Sequence, residues 1–146
     1  MQTLDAQSDI DAPAEVVWRV LTDFAAYPDW NPFVVRISGE AVEAGKLRVT
    51  IKAPGRRTVT FRPRVIRLVP GRELRWLGHT LLPGLFDGRH ALTVEPLAEG
   101  RSRFRTREEV TGMLLPVLGG IMRDSQRGFE EMARAVKARA EAQVTE

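Results

Sequence analysis

The 146-residue sequence contains no cysteine. This absence excludes disulfide frameworks, thiol nucleophiles and cysteine-ligated metals, and it favours a reducing compartment, so we expect a cytoplasmic protein. Histidine is almost as scarce, with His79 and His90 only. Neither belongs to a tight carboxylate cluster of the kind that binds zinc. We therefore expect no metal.

Long apolar runs are also missing. The longest uncharged apolar stretch, residues 113–122, has about half of the roughly 20 residues that a membrane-spanning helix requires, and it contains one proline and two glycines. Residues 1–10 have no basic start followed by an apolar run, so we expect no secretory signal. The sequence predicts no stable membrane insertion.

Several motifs that carry chemistry are absent as well. No serine lies in a Gly-x-Ser-x-Gly elbow, and there is no glycine-rich phosphate loop or dinucleotide fingerprint, so we expect no cofactor. The net charge of +3 arises from 22 basic and 19 acidic residues that are interspersed along the chain. The densest basic set, Arg101, Arg103, Arg105 and Arg107, would share one face of a strand without interleaved aromatic residues. We interpret this face as solvated and expect no nucleic-acid partner.

What is present is typical of a single α+β domain over residues 1–146. Hydrophobic residues make up 43% and charged residues 28% of the chain, as in an ordinary globular protein. An amphipathic helix is predicted after Pro13, and a second, short helical turn around the proline-bracketed residues 27–32. The alternating runs after it predict an antiparallel sheet. Counting one strand before the helices, the seven predicted strands are 3–11, 33–39, 46–53, 57–68, 72–79, 85–96 and 101–111.

The C-terminal part returns to helical periodicity. Its apolar stripe consists of Leu118, Ile121, Met122, Ser125, Phe129, Met132, Ala133 and Val136. A long helix with one apolar face needs a partner, and a run of strands bounded by helices is typical of helices packed on one face of a sheet.

The order of these elements resembles the START-like, or Bet v 1-like, helix-grip superfamily (SRPBCC), and most closely its bacterial polyketide cyclase/dehydrase type. The resemblance is carried by residues 10–18 (IDAPAEVVW), 21–24 (LTDF), 27–33 (YPDWNPF), 73–76 (ELRW), 88–90 (GRH) and 128–129 (GF). It implies a seven-stranded curved antiparallel sheet around a long C-terminal helix, with two short helices after strand 1. It also implies a hydrophobic ligand between sheet and helix, and only a minority of members are enzymes.

Strand alternation predicts which polar groups face the interior. If Phe104 and Val110 point inward on the last strand, Thr106 and Glu108 do too. A three-residue hairpin loop at 98–100 would place His90 directly opposite Glu108. A carboxylate beside an imidazole favours the charged form of the imidazole and can orient it for proton transfer. His90 and Glu108 are therefore catalytic candidates, together with Thr106 on the same face. A mutually satisfied polar pair or a ligand anchor is the alternative interpretation. Arg89 falls on the convex side, and His79 is expected at a rim or in solvent.

Aromatic and apolar side chains could line a pocket between sheet and helix. With the two polar anchors, the predicted ligand-binding residues are Trp30, Phe33, Phe61, Trp76, Phe86, His90, Phe104, Glu108, Met122 and Phe129. A packed core is the alternative for each of the apolar ones.

Three functions remain open from the sequence. The first is binding of a small apolar molecule (a lipid, aromatic or polyketide-like compound). The second is a cyclase or dehydratase in which His90 moves a proton next to a carbonyl, Glu108 orients His90, and Thr106 or Arg89 steadies an oxyanion. The third is a protein-interaction module that uses the groove or residues 113–122. The enzyme question stays open, with binding alone preferred, and the sequence does not indicate an oligomeric state.

Overall fold

The computed structural model of the chain describes residues 1–80 and 82–145. Its helices are α1 (Ala14–Thr22), α2 (Tyr27–Trp30) and α3 (Gly119–Val144), with short 3-10 turns at Phe24–Ala26 and Leu115–Val117. Its strands are β1 (Gln2–Ile10), β2 (Val34–Gly39), β3 (Leu47–Ile51), β4 (Val59–Phe61), β5 (Arg64–Val69), β6 (Glu73–His79), β7 (Asp87–Pro96) and β8 (Ser102–Thr111). This is the predicted α+β helix-grip fold, in which a curved antiparallel sheet holds a long C-terminal helix and two short helices follow the first strand.

The strands form two sheets where the sequence predicted one. Five strands pair in the order β1-β8-β7-β6-β5, and three pair in the order β2-β3-β4. The predicted strand 57–68 is divided at Arg62-Pro63, so the described residues form eight strands where the sequence predicted seven. Because Pro63 has no N–H to donate to a strand ladder, the chain leaves its pairing with β3 there and begins a new pairing with β6.

Helix α3 packs against β1, β8 and α1. Its buried face carries Met122, Ser125, Phe129, Met132, Ala133 and Val136 of the predicted stripe, together with Gly128 and Ala140. Leu118, which directly precedes the helix, is half-buried, and Ile121 is exposed. No helix within residues 1–80 and 82–145 combines the length and the apolar character needed to cross a membrane.

Two residues fix Phe33 between the sheet and α3. The side-chain Oδ1 of Asn31 accepts hydrogen bonds from the N–H groups of Phe33 and Val34, at 3.0 and 2.9 Å. On the helix side, Gly128 leaves the space that the Phe33 ring occupies, because a Cβ there would collide with the ring. The ring also lies edge-on to Phe129, with centroids 5.3 Å apart. Phe33 therefore forms a fixed wall of the space below α3.

Candidate functional site

A cavity of about 290 Å³ lies between the two sheets and the first turns of α3. Its volume is just below the roughly 300–1,000 Å³ range of drug-sized ligand sites, so it suits a small ligand. The β3–β4 side supplies aliphatic walls, including Val49, Ile51 and Val59, and α3 contributes Ile121 and Met122. The wall is mostly apolar with a few polar groups, the composition that suits a small apolar ligand with one or two polar atoms.

The space exists because two glycines face each other across neighbouring strands. Gly78 on β6 pairs directly with Gly88 on β7, and both line the cavity. The preceding cross-strand pair on the same face, Trp76 and His90, carries large side chains. Since side chains on one face recur at every second residue, the glycine pair omits two side chains of the next layer, which leaves room for the cavity and for the side chain of Glu108.

Seven of the ten predicted ligand-binding residues line the cavity: Phe33, Phe61, Trp76, Phe86, His90, Glu108 and Met122. The other three do not. Trp30 packs on Tyr27, with ring centroids 5.1 Å apart, and borders a separate surface groove with Arg19 and Arg139. Phe104 is fully buried opposite Val94, nearer the other end of β8. Phe129 is buried behind His90, against which its ring stacks.

His90 is a neutral, buried wall residue. Its ring contacts Trp76 and Phe129, each at a centroid distance of 4.9 Å. Its Nε2 is 2.7 Å from Oγ1 of the fully buried Thr106, the partner with which it shares a hydrogen bond. Burial lowers the pKa of His90 to about 3, because the charged imidazolium would be poorly solvated among these groups. At neutral pH the ring carries no charge.

Glu108 is the acid of the cavity. Its half-buried side chain extends over Gly88, where a Cβ would collide with the carboxylate. Burial raises the pKa of Glu108 to about 7, since the apolar wall disfavours the carboxylate. Near neutral pH the group is therefore divided between a protonated form that can donate a hydrogen bond and an ionised form that can accept a proton.

The predicted register is confirmed, but the predicted His90–Glu108 interaction is not formed. His90 and Glu108 are cross-strand partners, and Gly100 adopts the left-handed conformation (φ +72°) that the hairpin loop requires. Within the described part of the chain, however, His90 shares its side-chain hydrogen bond with Thr106, and its pKa falls instead of rising. The Glu108 side chain instead extends over Gly88, which has no side chain of its own to exclude it.

The remaining polar candidates lie away from the cavity. Arg89 is exposed, as predicted from its place between two inward-facing residues of β7. His79 is exposed and pairs with Asp87, with Nδ1 and Oδ1 2.7 Å apart. The arginine face of β8 lies next to acidic residues of β1 and the following loop, and its ion pairs are Arg101–Asp11, Arg103–Asp9 and Arg105–Asp5. This face is accordingly a salt-bridged outer surface.

Sequence reasoning missed the basic residues at the mouth of the cavity. Arg56 and Arg57 line it from the loop between β3 and β4, and Ser125 lines it from α3. The sequence signal was slight, namely two adjacent arginines after a Pro-Gly turn. In the described residues, no group of three or more His, Asp or Glu side chains could hold a metal ion.

The apolar segment 113–122 has two parts. Met113 and Val117 are 81% and 77% exposed, whereas Met122 is buried and lines the cavity. Backbone hydrogen bonds from Met113 to Gly84 and from Leu114 to Leu85 tie this segment to the loop before β7. Only its end belongs to the cavity wall.

Fold and cavity together define a START-like helix-grip protein. The chain belongs to the family described as polyketide cyclase / dehydrase and lipid transport, whose model matches residues 1–145. No curated protein matches the sequence.

Solved structures share the fold at low sequence identity. The Zhui aromatase/cyclase from Streptomyces sp. R1128 superposes with a TM-score of 0.80 at 18% identity, covering 98% of this chain and 95% of that one. A START superfamily protein from Mycobacterium smegmatis gives 0.76 at 20% identity, covering 97% and 98%. A norcoclaurine synthase from Thalictrum flavum, in complex with a transition-state analogue, gives 0.67 at 13% identity, covering 98% and 96%.

Proposed function

We propose that the protein binds a small, largely apolar molecule, such as an aromatic or polyketide-like compound or a short lipid, in the cavity over Gly78 and Gly88. The observation that carries this proposal is the paired absence of side chains at these two positions inside an otherwise packed sheet. Protein interiors are close-packed, so an apolar space of this size facing a mouth is costly unless it is filled.

The polar groups of the cavity fit a ligand with one carbonyl or hydroxyl group. Protonated Glu108 can donate a hydrogen bond to a carbonyl oxygen, and the ionised form can accept one from a hydroxyl. The neutral His90 and Trp76 are aromatic residues of the same cavity wall. Aromatic ligands gain from such offset or tilted ring contacts beyond the area that they bury.

Mass spectrometry of small molecules extracted from the purified, denatured protein tests this function. We expect a reproducible apolar compound in stoichiometric amount, absent from a mock extract of the same host. If the extract contains nothing above the mock and the purified protein also fails to bind 2-(2-naphthyl)ethanol saturably, the binding function is wrong.

A second candidate function is proton transfer next to a carbonyl, as in a cyclase or dehydratase. It is favoured by the pKa of Glu108, which lies near neutrality, where a general acid or base works best. In this candidate Glu108 is the proton-transfer group and the neutral, hydrogen-bonded His90 is a wall residue, which reverses the roles expected from the sequence. The carboxylate would take the α-proton, leave an enolate, and return a proton to the same carbon.

Proton exchange of 2-tetralone in deuterated buffer near neutrality tests the second candidate. We expect the wild-type protein to accelerate loss of the α-proton NMR signals and Glu108→Gln to show only the buffer rate, with affinity for the ketone retained. His90→Gln serves as the comparison, since exchange that depends on His90 and not on Glu108 would contradict this assignment of roles.

A further inference from the structure

We propose that the cavity selects ligands that carry an anionic group at one end, held at the mouth by an arginine rim made of Arg56, Arg57 and Arg123. This inference rests on the proposed binding function and specifies the class of ligand: an apolar body with a terminal carboxylate or phosphate.

The rim carries more positive charge than its own acidic residues can balance. Asp124 forms ion pairs with two arginines. Its Oδ2 lies 2.6 Å from Nε of Arg56, and its Oδ1 lies 3.3 Å from a guanidinium nitrogen of Arg127. Arg57 and Arg123 have no acidic partner among residues 1–80 and 82–145. The first turn of α3, which directly precedes Arg123, contains no acidic residue. By contrast, Arg101, just before β8, and Arg103 and Arg105 of β8 are each paired with an aspartate.

Two of the three guanidinium groups, those of Arg56 and Arg123, converge on one point at the start of α3. The Nη2 atoms of Arg56 and Arg123 lie 3.2 and 3.7 Å from the position where a side chain at Gly120 would begin. Arg56 and Arg57 are themselves part of the cavity lining. Like charges held near one another repel, and a bound anion relieves that repulsion while forming charge-assisted hydrogen bonds.

The interior of the cavity fixes which end of the ligand meets the rim. Glu108 lies in the wall and becomes negative as it ionises, while the rest of the lining is mostly apolar. An anionic group placed there would lose its hydration and face a second negative charge. Arg56, Arg57 and Arg123 are exposed to solvent, so an anion beside them keeps part of its hydration. The apolar body therefore enters first and the anion stays at the mouth.

A matched pair of ligands tests this proposal: 2-naphthylacetate, which is anionic, and 2-(2-naphthyl)ethanol, which is neutral and of similar shape. Calorimetric titrations would compare wild type, the double variant Arg57→Gln/Arg123→Gln, and the control Arg134→Gln. Arg134 is an exposed arginine of the same helix, about 16 Å further along α3 at 1.5 Å per residue. Both rim positions are exposed and make no ion pair with an acidic residue of the described chain, so their replacement leaves folding intact, which thermal unfolding would verify.

We expect wild type and Arg134→Gln to prefer the anionic ligand by about fivefold or more, and raised salt to reduce the preference. The double variant is expected to lose the preference and to bind the two ligands with similar affinities. Equal affinity of wild type for both ligands, or a preference that survives in the double variant, would overturn the arginine rim while leaving the cavity function intact. Saturable binding of neither ligand would overturn the binding function, and the rim with it.

Discussion

Gly78→Phe is expected to abolish binding of small apolar ligands, weakening the affinity for 2-(2-naphthyl)ethanol about 100-fold or more. Gly78 lines the cavity on the same face as Trp76. A Cβ at Gly78 meets only a side-chain carbon of Pro63, at an ordinary contact distance of 3.6 Å. The Cβ of a phenylalanine therefore fits at this position without a clash. Its phenyl ring would occupy the space that the ligand would use. A 100-fold loss corresponds to about 2.7 kcal/mol of binding free energy.

The stability of the same variant separates a blocked cavity from a damaged fold. Glycine inside a strand lowers stability by roughly 0.5–1 kcal/mol relative to alanine, and filling apolar space adds contacts. We expect the melting temperature of Gly78→Phe to equal or exceed that of the ligand-free wild type. Leu77→Phe is the control, since residue 77 lies on the same strand but faces the opposite side and should leave binding unchanged. Undiminished binding by a stable Gly78→Phe protein would show that the ligand binds elsewhere.

The wild-type protein is expected to lose part of its unfolding free energy as pH rises from about 4.5 to 7, and Glu108→Gln is expected to abolish this loss. The pKa of Glu108 is about 7 in the folded protein, against an ordinary 4.5. Folding therefore favours the protonated carboxyl, so its contribution to the unfolding free energy is fully present below about pH 4.5. The contribution is lost as pH rises through 7. At 1.36 kcal/mol per unit, and allowing for partial exposure, the loss is roughly 2 kcal/mol.

Denaturant unfolding at pH 5 and pH 8 measures this effect. The difference in unfolding free energy between Glu108→Gln and wild type should rise by roughly 2 kcal/mol from the lower to the higher pH. Carboxylates with lowered pKa values, such as Asp5 and Asp9, also make the stability depend on pH, but they do so at lower pH than this. Their contribution to stability is lost as pH falls, whereas that of Glu108 is lost as pH rises. Glu109→Gln is the matched control, because the next residue on β8 faces the other side of the sheet. A pH-independent difference for Glu108→Gln would contradict the buried, neutral carboxyl.

The fold was predictable because its signals are local. The helix after Pro13, the hairpin at Gly100 and the apolar stripe of α3 each follow from a few neighbouring residues, and together with the family resemblance they predict the helix-grip order. The division of the sheet at Pro63 was missed, although proline is a known interruption of a strand ladder. Its consequence, a second sheet that forms one side of the cavity, depends on the long-range pairing of β4 with β3.

The candidate site was predictable only in part. Alternation correctly placed His90 and Glu108 on the inner face and opposite each other, since both follow from one short hairpin. The sequence between Gly78 and Gly88 contains no short hairpin-turn signal, so no turn rule predicted which residues of β6 and β7 would pair. Because that pairing creates the space into which Glu108 turns, the sequence could not predict that His90 would bond to Thr106 instead.

The most direct test of the central claim is to locate a bound ligand by intermolecular nuclear Overhauser effects, with 2-(2-naphthyl)ethanol added to isotope-labelled protein. The cavity over Gly78 and Gly88 predicts contacts from the naphthyl protons to the Trp76 ring and to the methyl groups of Ile51 and Met122. Contacts confined to the exposed apolar segment around Met113 and Val117, with none to these cavity groups, would contradict it.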